Sequence, residues 1–137
     1  MTRFIFLFSV FTSLSVCADP SITSYGLFSE SGEHLETTGK VKIGSPVVFG
    51  FCFSMYADTT ESRLTFVETI KHPLLIKSNG IESIGYSVPK KYTVSNSKVT
   101  GCVMYKAAKT ADLVPGLWEL SISRGESDLV AQKFIVE

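Results

Sequence analysis

The side chains that could form a catalytic or metal site are few and far apart in this sequence. It has two histidines, His34 and His72, and neither flanks a cysteine. Nucleophilic hydrolysis needs a histidine beside the nucleophile, and the Gly-x-Ser-x-Gly turn that presents a catalytic serine does not occur. Phosphate-binding glycine loops and histidine pairs at metal-ligand spacing do not occur either. We therefore expect no catalytic residue, metal or cofactor. We interpret His34 as part of a solvated turn and His72 as a structural or exposed residue at a strand end.

Glu68 is the one carboxylate in an unusual position. Alternation places it on the same strand face as three apolar residues, Leu64, Phe66 and Ile70. A lone buried carboxylate must become neutral, find a partner or reach water. One interpretation is a bulge or strand end that turns Glu68 to water, and the other is a polar site at the rim of the fold.

Residues 88–92, Val-Pro-Lys-Lys-Tyr, form a small basic and aromatic segment. Two lysines beside one tyrosine are typical of a solvated loop, and the alternative is contact with an acidic partner in the cell envelope. The tryptophan, Trp118, is expected to be a core anchor of the penultimate strand, because its large ring gains most from burial.

Residues 1–18 have the pattern of a secretory signal peptide. A basic residue, Arg3, precedes an apolar stretch at residues 4–11, and small residues stand where a signal peptidase cuts. We expect cleavage between Ala18 and Asp19. An uncleaved anchor is the alternative, but the apolar stretch is shorter than the roughly 20 residues that span a bilayer.

Cys17 raises the possibility of a lipid anchor on that cysteine. The lipid-attachment signal needs a very small residue before the cysteine, and Val16 stands there. We therefore expect Cys17 to be discarded with the leader.

Removing residues 1–18 from the 137-residue chain leaves 119 residues, and losing Arg3 changes the formal net charge from 0 to −1. That length suits a single domain over residues 19–137. A near-neutral chain without a lysine and arginine run lacks the electrostatic signature of a nucleic-acid-binding protein. The densest apolar segment, residues 46–53, has the length of a strand, so we expect no membrane span.

Two cysteines, Cys52 and Cys102, remain after the leader, and an even number in an oxidising compartment favours a disulfide. Two buried free thiols or a metal pair are the alternatives, although metal sites need more ligands at short spacing. Alternation puts both cysteines on the less apolar face of their strands, opposite Phe49, Phe51 and Phe53 in one and Val99, Val103 and Tyr105 in the other. Neighbouring strands bridged on their outer side would have this arrangement.

The rest of the chain reads as an all-β sandwich. Short β-branched and aromatic runs recur between Gly, Pro, Asn and Ser, without any sustained helical spacing. We expect His72-Pro73 to end one strand and Asn79-Gly80 to form a type I′ hairpin turn. We expect about seven to eight strands, and the segments are residues 22–29, 46–56, 63–71, 74–77, 81–86, 98–106, 117–123 and 129–136, with residues 40–43 as an optional short piece.

Three stretches carry a family resemblance: residues 72–73 after an alternating strand, residues 85–86, and the final hairpin, which opens with Val-Pro-Gly-Leu-Trp-Glu at 114–119 and closes at 129–136. Their order and spacing resembles a family of exported bacterial domains catalogued as domain of unknown function 3859, over about residues 22–137. The resemblance implies an envelope protein with an immunoglobulin-like sandwich, and it implies no activity or catalytic residue.

A full set of strands without a catalytic constellation favours a non-enzymatic periplasmic or secreted binding module, whose loops or edge strand contact an unknown protein or glycan of the cell envelope. A small-ligand carrier or minor hydrolase with a rim pocket near Glu68 is the first alternative. A structural accessory domain of an envelope assembly is the second.

Overall fold

Alternating apolar and polar residues produce two packed β-sheets in the computed structural model, which describes residues 20–44 and 46–137. The expected leader, its cleavage site between Ala18 and Asp19, and Cys17 lie outside the described residues. The strands are β1 (Ser21–Phe28), β2 (His34–Glu36), β3 (Lys40–Val41), β4 (Val47–Tyr56), β5 (Arg63–Ile76), β6 (Glu82–Thr93), β7 (Lys98–Ala107), β8 (Gly116–Arg124) and β9 (Ser127–Val136).

One sheet has the strand order β2-β1-β4-β7, and the other has the order β3-β9-β8-β5-β6. Neighbouring strands are antiparallel, except that β3 runs parallel to β9. The expected all-β sandwich is confirmed. Nine strands form rather than seven to eight. Two short strands, β2 and β3, add to the expected set, since so few residues show too little alternation to be recognised, and residues 63–71 and 74–77 form the single strand β5. Within the described part of the chain, no helix is long and apolar enough to cross a membrane.

The core lies where β4 faces β8 and β9. Alternation along β4 buries its three inward phenylalanines completely or nearly so, and Trp118 on β8 is fully buried, as expected for a core anchor. The ring of Phe49 contacts two rings of the opposite sheet, with centroids 5.6 Å from Trp118 and 5.1 Å from Phe134 in edge-on geometry. Edge-to-face contacts of this kind add to the stabilisation that comes from burying the rings.

The cysteine pair forms a disulfide between neighbouring strands. Cys52 on β4 lies directly opposite Cys102 on β7, and their Cα atoms are 3.9 Å apart. Both side chains are half-buried on the outer face, opposite the phenylalanines of β4. The expected pairing and its placement on the outer side are confirmed.

Removing the disulfide should lower the free energy of unfolding by about 4 kcal/mol, because the bond closes a long loop in the unfolded chain. The two cysteines are 50 residues apart in sequence. Urea denaturation of the double variant C52A/C102A against the oxidised protein measures the loss. The reduced wild-type protein is the matched control and should unfold at the midpoint of the variant. Coinciding midpoints for the oxidised protein and the variant would contradict the prediction.

The prediction that His72-Pro73 ends a strand is wrong, because β5 continues through both residues to Ile76. β5 pairs with β8 only as far as Lys71, and its pairing with β6 is irregular between Lys71 and Leu75. A proline is tolerated at such a bulge because the ladder needs no donor there.

The interpretation of residues 88–92 as a solvated loop is also wrong. These residues belong to β6, which pairs with β5 along its length and lies at the edge of the five-stranded sheet. Pro89 fits an edge strand, where its missing N–H faces away from the ladder. Tyr92, expected in a loop, is buried.

The turn between β5 and β6 differs from the expected type. The Gly80 amide donates to the Lys77 carbonyl at 2.9 Å, and the Lys77 amide donates to the Ile81 carbonyl at 2.9 Å. Gly80 has a φ of 80°, whereas Asn79 does not have a positive φ. This is a three-residue loop that ends in a left-handed glycine. The type I′ turn lies instead between β6 and β7, where Asn96 and Ser97 both have positive φ.

Candidate functional site

The two sheets differ in width, and this leaves part of β6 without an opposing strand. Residues directly opposite each other in β5 and β6 share a face, so Tyr86 shares the inward face with Ile70 and Val88 shares it with Glu68. Ile70 is buried, but Tyr86 and Val88 are 47% and 46% exposed. The inward face of β6 is therefore open to solvent beside β7, the edge strand of the four-stranded sheet.

We call this opening the edge groove. It is lined by Tyr86, Val88, Lys90 and Tyr92 from β6 and by Gly101 and Tyr105 from β7. At one end the Tyr92 ring packs against Gly101 so closely that a Cβ on this glycine would collide with it. At the other end Tyr86 and Tyr105 line a common cleft. The groove thus lies between the two edge strands, closed at the Tyr92 end and open at the Tyr86 end.

Glu68 faces this groove and has two polar partners there. It accepts a hydrogen bond from the Tyr92 hydroxyl, and its Oε1 lies 3.3 Å from the Lys90 ammonium nitrogen. That ammonium also lies over the Tyr92 ring, 5.4 Å from the centroid. Burial, and then the hydrogen bond and charge of Glu68, raise the pKa of Tyr92 far above the usual tyrosine value. The carboxylate is held at the rim of the core by partners, and β5 shows no bulge at this residue.

The cleft at the far end of the groove has a volume of about 500 Å³. His72, Tyr86, Tyr105, Lys109 and Asp112 are among the residues that line it. The Tyr105 hydroxyl donates to the Asp112 carbonyl at 2.8 Å. Burial, followed by the charges of Asp112 and Tyr86, raises the pKa of Tyr105 to about 12.

His72 is buried at the base of this cleft. Its ring packs against Trp118 with a centroid separation of 4.7 Å, and its Nδ1 donates to the Pro73 carbonyl at 2.7 Å. The expectation of a structural histidine fits this position, although His72 lies within β5 and not at its end. His34 is far from the cleft: it belongs to β2, where its ring contacts Phe28 and its Nε2 lies 3.0 Å from the Tyr25 carbonyl.

The distal part of the β5–β6 hairpin carries an apolar surface. We call residues 72–85 the arm, since β5 has lost its pairing with β8 beyond Lys71. Together, the arm and the adjoining Tyr86 and Val88 hold six of the eleven large hydrophobic residues that are exposed in the described part of the chain, so more than half of them belong to one hairpin. The members on the arm are Leu74, Ile76, Ile81 and Ile84.

The structure brings together residues that the sequence could not pair. Glu68 meets Lys90 and Tyr92, which were expected in a separate loop, and His72 meets Trp118. Across residues 20–44 and 46–137, no three His, Cys, Asp or Glu side chains lie close enough to hold a metal ion. The site combines apolar side chains, paired charges and tyrosines.

No family model and no curated protein matches this chain. An immunoglobulin-like protein from Pseudomonas aeruginosa has a similar structure, with a TM-score of 0.72 and 21% sequence identity over 88% of this chain and 98% of that one. This likeness shows an immunoglobulin-like fold, as the sequence predicted. A β-glucosidase from Listeria innocua overlaps at a TM-score of only 0.43 and 9% identity, over 86% of this chain and 16% of that one.

Burial is the main cause of the raised pKa values of Tyr92 and Tyr86, and the Glu68 carboxylate raises both further. Replacing Glu68 by Gln should therefore lower both pKa values in part. Ultraviolet titration of tyrosinate measures the shift, with Y92F to assign the steps. Glu82→Gln, at the exposed start of β6, is the matched control and should leave the curve unchanged.

The same variant should change stability at high pH. A tyrosine whose folded pKa is raised keeps its contribution to stability below pH 10 and loses it as the pH rises towards the folded value. In E68Q the loss of unfolding free energy above pH 10 should be smaller than in the wild type. Identical titration and stability curves for E68Q and wild type would contradict the pairing of Glu68 with Tyr92.

Proposed function

We propose that this protein is a non-enzymatic binding module of the bacterial cell envelope and that it contacts its partner through the arm and the edge groove. One observation carries the proposal: six of the eleven exposed large hydrophobic side chains in the described residues belong to one hairpin, beside an open groove. Contiguous exposed apolar patches on soluble domains are typical of interaction sites.

The arm has the mechanical features of a recognition element. The sandwich holds the base of the hairpin, and the arm extends beyond the pairing of β5 with β8. Its apolar residues stand beside lysines and tyrosines, a combination that suits a protein or glycan surface of mixed character.

An exported location supports this function and is part of the proposal. A disulfide persists in oxidising compartments, and the expected signal peptide would deliver the chain there. We also propose that the chain belongs to the exported family catalogued as domain of unknown function 3859, on the residues at 72–73, 85–86, 114–119 and 129–136. The immunoglobulin-like fold is compatible with it.

A small-ligand carrier is the second candidate, and the cleft favours it. About 500 Å³ is the volume of a site for a small molecule, and His72, Tyr105 and Lys109 offer polar groups to it. Glu68, which the sequence suggested for such a pocket, does not line this cleft but lies further along the groove. E68Q should therefore leave ligand binding in the cleft unchanged, whereas a Tyr105→Phe variant should alter it.

Site-specific photocrosslinking in intact cells of the native host tests the proposed function. A crosslinking residue at Ile84, 70% exposed on the arm, should capture a defined envelope component, and unlabelled protein should compete with the capture. The matched control is Leu35, 64% exposed on β2 of the other sheet, which should capture nothing in common with it.

Two other results of the crosslinking experiment would contradict the proposal or favour another function. Equal capture at both positions, or none at Ile84 while the protein migrates as a free monomer, would overturn the proposal. Capture at Leu35 alone, with the protein migrating in a large native complex, would favour a structural accessory domain.

A further inference from the structure

We propose that β7 accepts an extended segment of a partner protein as a fifth strand of the four-stranded sheet. The segment alternates apolar residues, which turn inward over β6, with acidic residues, which turn outward beside the lysines of β7. This inference rests on the proposed function and specifies its partner.

The edge of β7 beyond Lys98 can receive a strand. Among the described residues β7 pairs with β4 over ten consecutive residue pairs, and its only other backbone pairing is an isolated bridge from Lys98 to Ser95 in the turn after β6. The Cα separation of 3.9 Å at Cys52 and Cys102 marks a closely spaced pair of the kind without mutual hydrogen bonds, so the amide and carbonyl of Cys102 point away from β4. By alternation, Thr100, Met104 and Lys106 direct their backbone groups to the same open edge.

The inward face of β6 supplies the apolar contacts for the added strand. A strand bonded to β7 would lie about 4.8 Å beyond it, in the layer that faces β6. Its inward side chains repeat every second residue, which is the spacing between Tyr86 and Val88. Both side chains are about half exposed, and such a strand would cover them.

β7 is a better acceptor than the outer edge of β6. Pro89 stands in the middle of β6, directly opposite Val67 of β5. A proline in an edge strand leaves the outer side without a donor, which interrupts any ladder formed there. β7 contains no proline between Lys98 and Ala107.

Charge complementarity favours an acidic strand. Between residues 82 and 109, which include β6 and β7, the chain has five lysines and one glutamate. Lys98 and Lys106 are exposed near the two ends of β7, on the face that carries Cys102. Opposite charges on neighbouring strands attract, and like charges directly opposite repel.

The same lysines argue against a second copy of this chain as the occupant. In symmetric antiparallel pairing of two β7 strands centred on Cys102, Lys98 of each copy would face Lys106 of the other. Two like-charged pairs would then lie directly opposite each other. The edge is thus arranged to admit an acidic partner and to oppose self-pairing.

The test uses two synthetic peptides as long as β7, one alternating valine with glutamate and one alternating valine with lysine. Isotope-labelled protein should bind the glutamate peptide, with new hydrogen-exchange protection at the Thr100, Cys102 and Met104 amides. In the double variant K98E/K106E the preference should reverse, and the glutamate peptide should bind on the order of tenfold more weakly. The matched control K40E/K133E, on the other sheet, should keep the wild-type preference.

Each other outcome overturns the strand addition. Protection that appears at β6 and not at β7, or equal binding of both peptides, would exclude an acidic strand on β7. β7 protection that grows with protein concentration alone would assign the edge to a second copy. None of these results affects capture by the Ile84 crosslinker, so the proposed function would stand or fail separately.

Discussion

The packing of the β4 phenylalanines against β8 and β9 fixes the relation between the two sheets. Phe49 contacts both Trp118 and Phe134 in edge-on geometry, so neither sheet can slide without opening a gap between large rings. With β4 held over the middle of the five-stranded sheet, the four-stranded sheet ends at β7. The uncovered flank of β6 follows from this arrangement. The edge groove therefore results from the packing of β4 against β8 and β9, and it is exposed without the movement of any loop.

The Glu68 carboxylate can point inward from β5 because it lies beside the uncovered flank of β6. In the middle of the sandwich, Glu68 would be an unpaired buried charge, which is costly. At the groove it keeps partial contact with water and has Lys90 and Tyr92 as partners. A strand lying over the groove would remove the water, but the partners would remain. The existing pairing therefore lowers the desolvation penalty of covering this surface, because no charge would be left alone.

The sequence alone predicted which side chains are buried wherever the alternation within a single strand determines burial. Examples are the two faces of β4, the burial of Trp118 and the outer placement of Cys52 and Cys102. The sequence was insufficient where register between strands decides. Glu68 and Tyr92 are 24 residues apart, and they meet because the turn after β5 and the irregularity between Lys71 and Leu75 together set the β5–β6 register. The burial of His72 did have a signal, since it continues the inward alternation from Leu64 to Ile70. We missed this signal because we expected Pro73 to end the strand. That expectation holds for a regular hydrogen-bonded ladder, and the ladder of β5 is irregular at this residue.

The disulfide fixes the register of β7, the edge strand of the four-stranded sheet. β7 is bonded to β4 on one side only, and an edge strand of this kind can slip by one residue, which would turn every inward side chain outward. A covalent bond between directly opposed residues excludes that slip. It keeps Val103 and Tyr105 facing the core and Lys98 and Lys106 facing solvent. The pattern that an incoming strand would recognise is therefore fixed before any partner arrives, so the ordering cost of binding falls on the partner alone.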